Sequence, residues 1–130
     1  MPAYARLGDA GIDLLARVTT SLEPAGGRAL VPTGVAVAIP PGHGGFVLPR
    51  SGLALRHGVT LLNTPGLIDA GYRDELKVLM INTDPSSRYV VERGDRIAQL
   101  VILDIHQIRW LHVDTLDGEN RGGGFGHTGR

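Results

Sequence analysis

Ala29-Leu30-Val31-Pro32-Thr33-Gly34-Val35-Ala36-Val37-Ala38-Ile39-Pro40-Pro41-Gly42-His43-Gly44-Gly45-Phe46-Val47-Leu48 sets short apolar runs between Pro-Thr-Gly and Pro-Pro-Gly. Runs this brief have strand length, and the residues between them supply turns. The same texture continues outward through Val59-Thr60-Leu61-Leu62, Leu76 to Asn82, Tyr89-Val90-Val91, Ile97 to Ile105 and Ile108 to Val113. No stretch keeps a helical period over three turns. The pattern therefore predicts an all-β domain, a sandwich or barrel. One short helical turn is expected: Ser51 as N-cap, Leu53 to His57 as the turn, and Gly58 as its terminator. From Asp117 to Gly124 the chain turns polar and glycine-rich, which predicts a flexible C-terminal arm. The expected organisation is a β-domain over 1–116 and an arm over 117–130, without repeats.

Bulk properties narrow the function classes. A chain of 130 residues with 42% hydrophobic and 20% charged residues can bury a core of its own as one ordinary globular domain. Its formal net charge is 13 − 13 = 0, so no overall basic field points to nucleic acid. Of the 13 basic residues only Lys77 is a lysine. Arginine suits bidentate phosphate contacts, although a GC-rich genome gives the same bias. Without cysteine there are no disulfides and no thiolate metal sites. The histidines lack paired ligand spacing. The first residues show no signal pattern, and no apolar run approaches the length of a membrane span. No membrane association and a cytoplasmic location are the default expectations.

Several segments could carry chemistry. Pro49-Arg50-Ser51-Gly52 at a helix start offers free N–H groups, a guanidinium and a hydroxyl for an anion, yet alone it reads more readily as a plain turn. Asn63 through Lys77 places an amide, a carboxylate and a phenol in a loop between apolar runs. An amide with hairpin backbone can read a pyrimidine edge, Asp69 can deprotonate a water, and Tyr72 can lie on a sugar. By composition alone an ordinary hairpin fits as well. Gln99, inside the apolar run after Arg93-Gly94-Asp95-Arg96, needs partners if buried; a phosphate, a metal-bound water or a structural hydrogen bond each qualifies. Asp13 between Ile12 and Leu14 could face a cation through water or simply face solvent. In Arg121-Gly122-Gly123-Gly124-Phe125-Gly126-His127-Thr128-Gly129-Arg130, a lone Phe among glycines fits a closing lid: N–H nests and Arg for phosphate, a ring to stack on a base.

In this order the segments resemble the five motifs of the trimeric dUTPase family. Ala10-Gly11-Ile12-Asp13-Leu14 is similar to the first and Pro49-Arg50-Ser51-Gly52-Leu53-Ala54 to the second. Asn63 through Lys77 is similar to the third, Arg93 through Gln99 to the fourth, and Arg121 through Gly129 to the fifth. The resemblance implies a jelly-roll-like fold, a homotrimer with shared sites between subunits, and hydrolysis of dUTP to dUMP and pyrophosphate with Mg²⁺. That reaction limits dUTP and supplies dUMP for thymidylate synthesis. By position, Asn63 with the backbone of Leu67 and Ile68 reads uracil, Asp69 positions the attacking water, Tyr72 blocks a ribose 2′-hydroxyl, and Lys77 lines the pocket. Arg50, Ser51, Gly52 and Gln99 hold the triphosphate, while Asp13 acts on Mg²⁺ through bound water. From the arm, Arg121 grips the γ-phosphate, Phe125 covers the base, and Gly126 completes the contact.

Two departures stand out. Arg-Gly-Gly-Gly-Phe is one residue shorter than the family's Arg-Gly-x-Gly-Gly-Phe, which shifts Arg121 or Phe125. The chain also begins almost at the first motif, where relatives carry another strand. The rival readings are a dCTP deaminase of the same fold and a catalytically weak nucleotide-sensing or partner-binding protein. Deaminases of this type carry Phe at the Tyr72 position and a Glu on the next strand, where Leu76 to Ile81 has none.

Overall fold

The computed structural model describes residues 2–120 and residue 122. In chain order its elements are β1 (Ile12–Leu15), β2 (Thr20–Leu22), β3 (Arg28–Pro32), β4 (His43–Leu48), α1 (Ser51–His57) and β5 (Val59–Leu61). They continue as β6 (Gly66–Ile68), β7 (Lys77–Asn82), β8 (Tyr89–Val91) and β9 (Arg96–Asp104). The strands form a four-stranded sheet in the order β1-β9-β4-β6, a three-stranded sheet β3-β7-β5 and a β2-β8 pair. Each pairing is antiparallel. The fold is the expected all-β, jelly-roll-like one, and its sheets stay open rather than closing into a barrel.

Alternation along the strands builds the core. In β7, Val78, Met80 and Asn82 are buried while Lys77 is exposed, as a period of two requires of a half-buried strand. From β9 come Ile97, Ala98 and Leu100, from β1 Leu14, from β3 Val31, and from β2 and β8 Leu22 and Val91. All three sheets thus feed one cluster, which is the main force holding them face to face.

Two predicted strands are not strands. Val35 and Val37 pack on the core and Ile39 is buried, whereas Ala36 and Ala38 are exposed. The alternation is right, but the segment has no ladder partner: Val35 O accepts Leu76 N at 2.7 Å and the pairing goes no further. Ile108 to Val113 is likewise unpaired, with Trp110 87% exposed and Leu111 81% exposed. Apolar composition there reported burial that the isolated chain does not provide. The helix also starts differently. Ser51 is its first residue and Arg50 holds the cap position without a side-chain cap bond. Gly58 ends it at φ 61°, in the left-handed region, as expected.

Gly27 has a packing reason. A Cβ there would collide with the backbone N, C and O of Glu23, none of which can swing away. Gly27→Ala is expected to destabilise the fold by about 1–3 kcal/mol, as overpacking does. Denaturant melts at equal chain concentration measure this, and an unshifted midpoint contradicts it.

Asp84 caps the turn before β8. Its carboxylate accepts Ser86 N at 2.9 Å and Ser87 N at 2.7 Å. These backbone bonds lower its pKa below the ordinary 3.8. A lowered carboxylate stabilises the fold above its unfolded pKa, and the contribution disappears as pH falls through the lower folded value. Acid unfolding followed below about pH 4 should therefore be shallower in Asp84→Asn than in wild type.

Candidate active site

Strand register gathers three distant motifs at one corner. Gln99 on β9 lies opposite Asp13 on β1 and opposite Leu48 on β4. Directly opposed residues project on the same face of a sheet, so Asp13 and Gln99 are neighbours on the face turned away from Ala98 and Leu100. This places the amide that interrupts the apolar run, and Gln99 is only half-buried there. Arg50 follows two residues after Leu48. Its Nε lies 3.4 Å from Asp13 Oδ1, and Arg96 Nε lies 3.1 Å from Asp13 Oδ2. Arg50 Nη1 also donates to Arg96 O at 3.1 Å.

Two guanidiniums thus share one carboxylate, which leaves the corner with a surplus positive charge. The Asp13 side chain is only 15% exposed, so water screens the group less than it would a surface pair. Its Oδ1 is buried without a hydrogen-bond partner, the 3.4 Å approach of Arg50 being an ion pair only. A buried acceptor left open in this way calls for a donor. Beside the corner, Leu53 N and Ala54 N donate back to Arg50 O at 3.1 and 3.2 Å. Ser51 N and Gly52 N have no backbone acceptor among the described residues, which leaves both free for an anion. Arg96 belongs to this cluster although sequence reasoning passed over it. An arginine opening a strand looks like any solvated charge, and only the β1-β9 register reveals its partner.

The third motif lies elsewhere. β6 pairs with β4, Leu67 opposite Phe46 and Ile68 opposite Gly45, whereas β7 pairs with β3 and β5. The segment expected to be a hairpin therefore crosses from one sheet to another. Leu67 is 61% exposed. Asp69 follows at an exposed turn closed by Tyr72 N donating to Asp69 O at 3.0 Å. Its carboxylate forms no hydrogen bond or ion pair with any described residue, so both oxygens are open to water. Tyr72 Oη donates to Glu75 O at 3.0 Å, fixing the phenol beside the turn. Arg73 Nη1 donates to Ala70 O and Tyr72 O at 2.6 and 2.7 Å and braces the same turn.

A groove of about 820 Å³ runs beside Asp69, Leu67, Phe46 and Ile105. Asn63 and Tyr72 do not line it. Asn63 is exposed after β5, its Nδ2 3.4 Å from where a Cβ on Gly66 would stand. Lys77 is exposed at the start of β7, opposite Pro32 in the three-stranded sheet. Arg121, Phe125 and Gly126 lie outside the described residues.

The two groups of functional residues stand at opposite ends of β4. Asp69 continues β6 past Ile68, which pairs Gly45, whereas Arg50 lies beyond Leu48. The four residue steps from Gly44 to Leu48 alone separate them by about 13 Å at ~3.3 Å per residue. Among the described residues no three His, Asp or Glu side chains group as a metal centre. Among the described residues Asp13 is the carboxylate that the ion pairs place at this corner, and its unpartnered Oδ1 suits a metal-bound water better than direct ligation. No helix among the described residues is long and apolar enough to cross a membrane.

Comparison with known proteins gives a consistent result. The family model described as dUTPase matches residues 1–129. A deoxyuridine 5'-triphosphate nucleotidohydrolase of Leifsonia xyli is 51% identical over 130 residues, covering 99% of this chain and 85% of that protein. One from Streptomyces coelicolor is 55% identical, covering 99% and 70%. Among solved structures, the Staphylococcus bacteriophage 80alpha dUTPase with dUPNHPP superposes with a TM-score of 0.91 at 29% identity, covering 99% of this chain and 91% of that one. A mutant dUTPase from phage phi11 of S. aureus, described with a structural Mg(II) ion, gives a TM-score of 0.84 at 29% identity, covering 91% and 92%.

Proposed function

The chain belongs to the dUTPase family, and from that membership we propose that it hydrolyses dUTP to dUMP and pyrophosphate at a site shared between subunits of a homotrimer. The observation that carries the reading is the separation of an unengaged carboxylate, Asp69, from a corner with surplus positive charge at Arg50, Arg96 and Asp13. Water activation and phosphate binding need those two features. In-line attack needs the water oxygen about 3–3.5 Å from the phosphorus, with the base beside the water and the cations on the phosphates, while the backbone between Asp69 and the corner spans about 13 Å along β4. That span favours a site completed by a second copy of the chain.

In this reading Asp69 takes the proton as the water oxygen bonds to the α-phosphorus. The bond from that phosphorus to the β-bridging oxygen breaks, and pyrophosphate leaves. Arg50, Ser51, Gly52 and Gln99 hold the triphosphate, and their fixed donors meet the charge that develops on it. Asn63 and the backbone of Leu67 and Ile68 read uracil, Tyr72 bars a ribose 2′-hydroxyl, and Lys77 lines the pocket. Arg121, Phe125 and Gly126 on the arm of residues 117–130 close over the nucleotide. Asp13 would hold Mg²⁺ through a water donating to its open Oδ1. The ion would neutralise charge on the phosphate oxygens, which suits its preference for phosphate and water ligands. A cytoplasmic location accompanies this role in nucleotide metabolism.

The test is incubation with Mg²⁺ and each deoxynucleoside triphosphate in turn, with products separated by chromatography. dUMP and pyrophosphate from dUTP alone are expected. Deamination of dCTP, or dUTP binding without turnover, contradicts the assignment and favours one of the rival readings.

A further inference from the structure

Arg56 lies four residues after Gly52 on α1. Side chains of a helix lean towards its start, and residues four apart share a face. Here the guanidinium folds fully back: Nη2 and Nη1 stand 2.9 and 3.1 Å from the point that a Cβ on Gly52 would occupy. Gly52 is therefore the space in which the guanidinium rests. Arg56 itself is exposed, and it makes no hydrogen bond or ion pair with any described residue. Asp84 lines a small recess with it, but that carboxylate is turned to the N–H groups of Ser86 and Ser87. Nearby, Arg50 and Arg96 already divide their charge over Asp13.

An unneutralised cation held against a residue assigned to the phosphates has one evident use. We propose that Arg56 is a further substrate-binding residue, its guanidinium contacting the outer phosphates of the triphosphate held at Ser51 and Gly52. The proposal rests on the phosphate reading of Ser51 and Gly52 given above. It adds a charge that this corner lacks, since two guanidiniums on one carboxylate leave too little positive charge to balance the negative charge of a triphosphate. Guanidinium is suited to the role because its fork can grip two phosphate oxygens.

The experiment compares wild type, Arg56→Gln and Arg56→Lys in calorimetric binding of α,β-imido-dUTP and of dUMP, with steady-state kinetics on dUTP. In Arg56→Gln the triphosphate analogue should bind about tenfold more weakly, the scale of one lost charge-assisted hydrogen bond. dUMP binding should stay within about twofold, because the monophosphate lacks the contacted groups. KM should rise with little change in kcat, and Arg56→Lys should recover part of the loss. Equal weakening of both ligands marks a merely structural residue and overturns the proposal, as does an unchanged affinity for the analogue. Wild type that turns over no dUTP contradicts the proposed reaction instead, and the two binding titrations still decide the role of Arg56.

Discussion

Asp69→Asn should lose about 10²–10⁴-fold in kcat, the range supplied by a positioned general base, while α,β-imido-dUTP still binds. Asparagine keeps the shape and polarity of the side chain but cannot take the proton from water. Neither Tyr72 nor Arg73 can substitute: the Tyr72 hydroxyl is held at a backbone carbonyl, and the Arg73 guanidinium is a donor only. The change should fall on kcat with KM nearly constant, since the carboxylate meets the water and not the phosphates. The fold should be unaffected, because Asp69 is exposed and holds no side-chain partner among the described residues. Stopped assays with single-turnover quenching measure it. Retention of more than a tenth of wild-type kcat removes Asp69 from the chemistry.

The second large effect concerns stability. Asn82 is fully buried at the end of β7. Its Nδ2 donates to Leu22 O at 3.1 Å and to Ser87 O at 2.8 Å, and its Oδ1 accepts Asp84 N at 3.0 Å. One side chain thus ties β7 to β2 and to the turn leading into β8. Asn82→Ala strands two carbonyls and an N–H. Each costs about 1–3 kcal/mol when left unsatisfied in the interior. Water can relieve those near Ser87 and Asp84 but not the one at Leu22, so a total of about 3–4 kcal/mol is expected. Urea unfolding at a fixed chain concentration reads it, with the concentration held because assembly contributes to apparent stability. A loss below about 1 kcal/mol would mean that the network is not the tie described.

How much of this was legible in the sequence varies element by element. β4, β7, β8 and β9 stood out as apolar runs because each buries a face within its own chain. β6 did not, since Gly66–Ile68 is too short for a period and contains one large exposed side chain. Val35 to Ile39 gave the correct inward and outward alternation yet no strand, because alternation reports side-chain burial and not whether a ladder partner exists. Gln99 was conspicuous as an amide among aliphatic residues, but its partner at Asp13 depends on register, which no local pattern encodes. Arg56 was invisible for the same reason: a helical arginine is ordinary until its guanidinium is found in the space left by Gly52. The motif resemblance named candidate residues while leaving open which of them meet within one chain.

If Asp69 and the Arg50 corner act together across a subunit boundary, as proposed, two variants that are each inactive should complement one another when mixed. Asp69→Asn and Arg50→Ala are unfolded together at equal concentration, refolded, and assayed on dUTP beside each variant refolded alone. A shared site then restores about a quarter of wild-type activity, because random assembly pairs an intact Asp69 with an intact Arg50 from the neighbour at that frequency in a symmetric ring. Mixtures no more active than the separate variants, despite confirmed exchange of subunits, would place both groups in one chain and contradict the account.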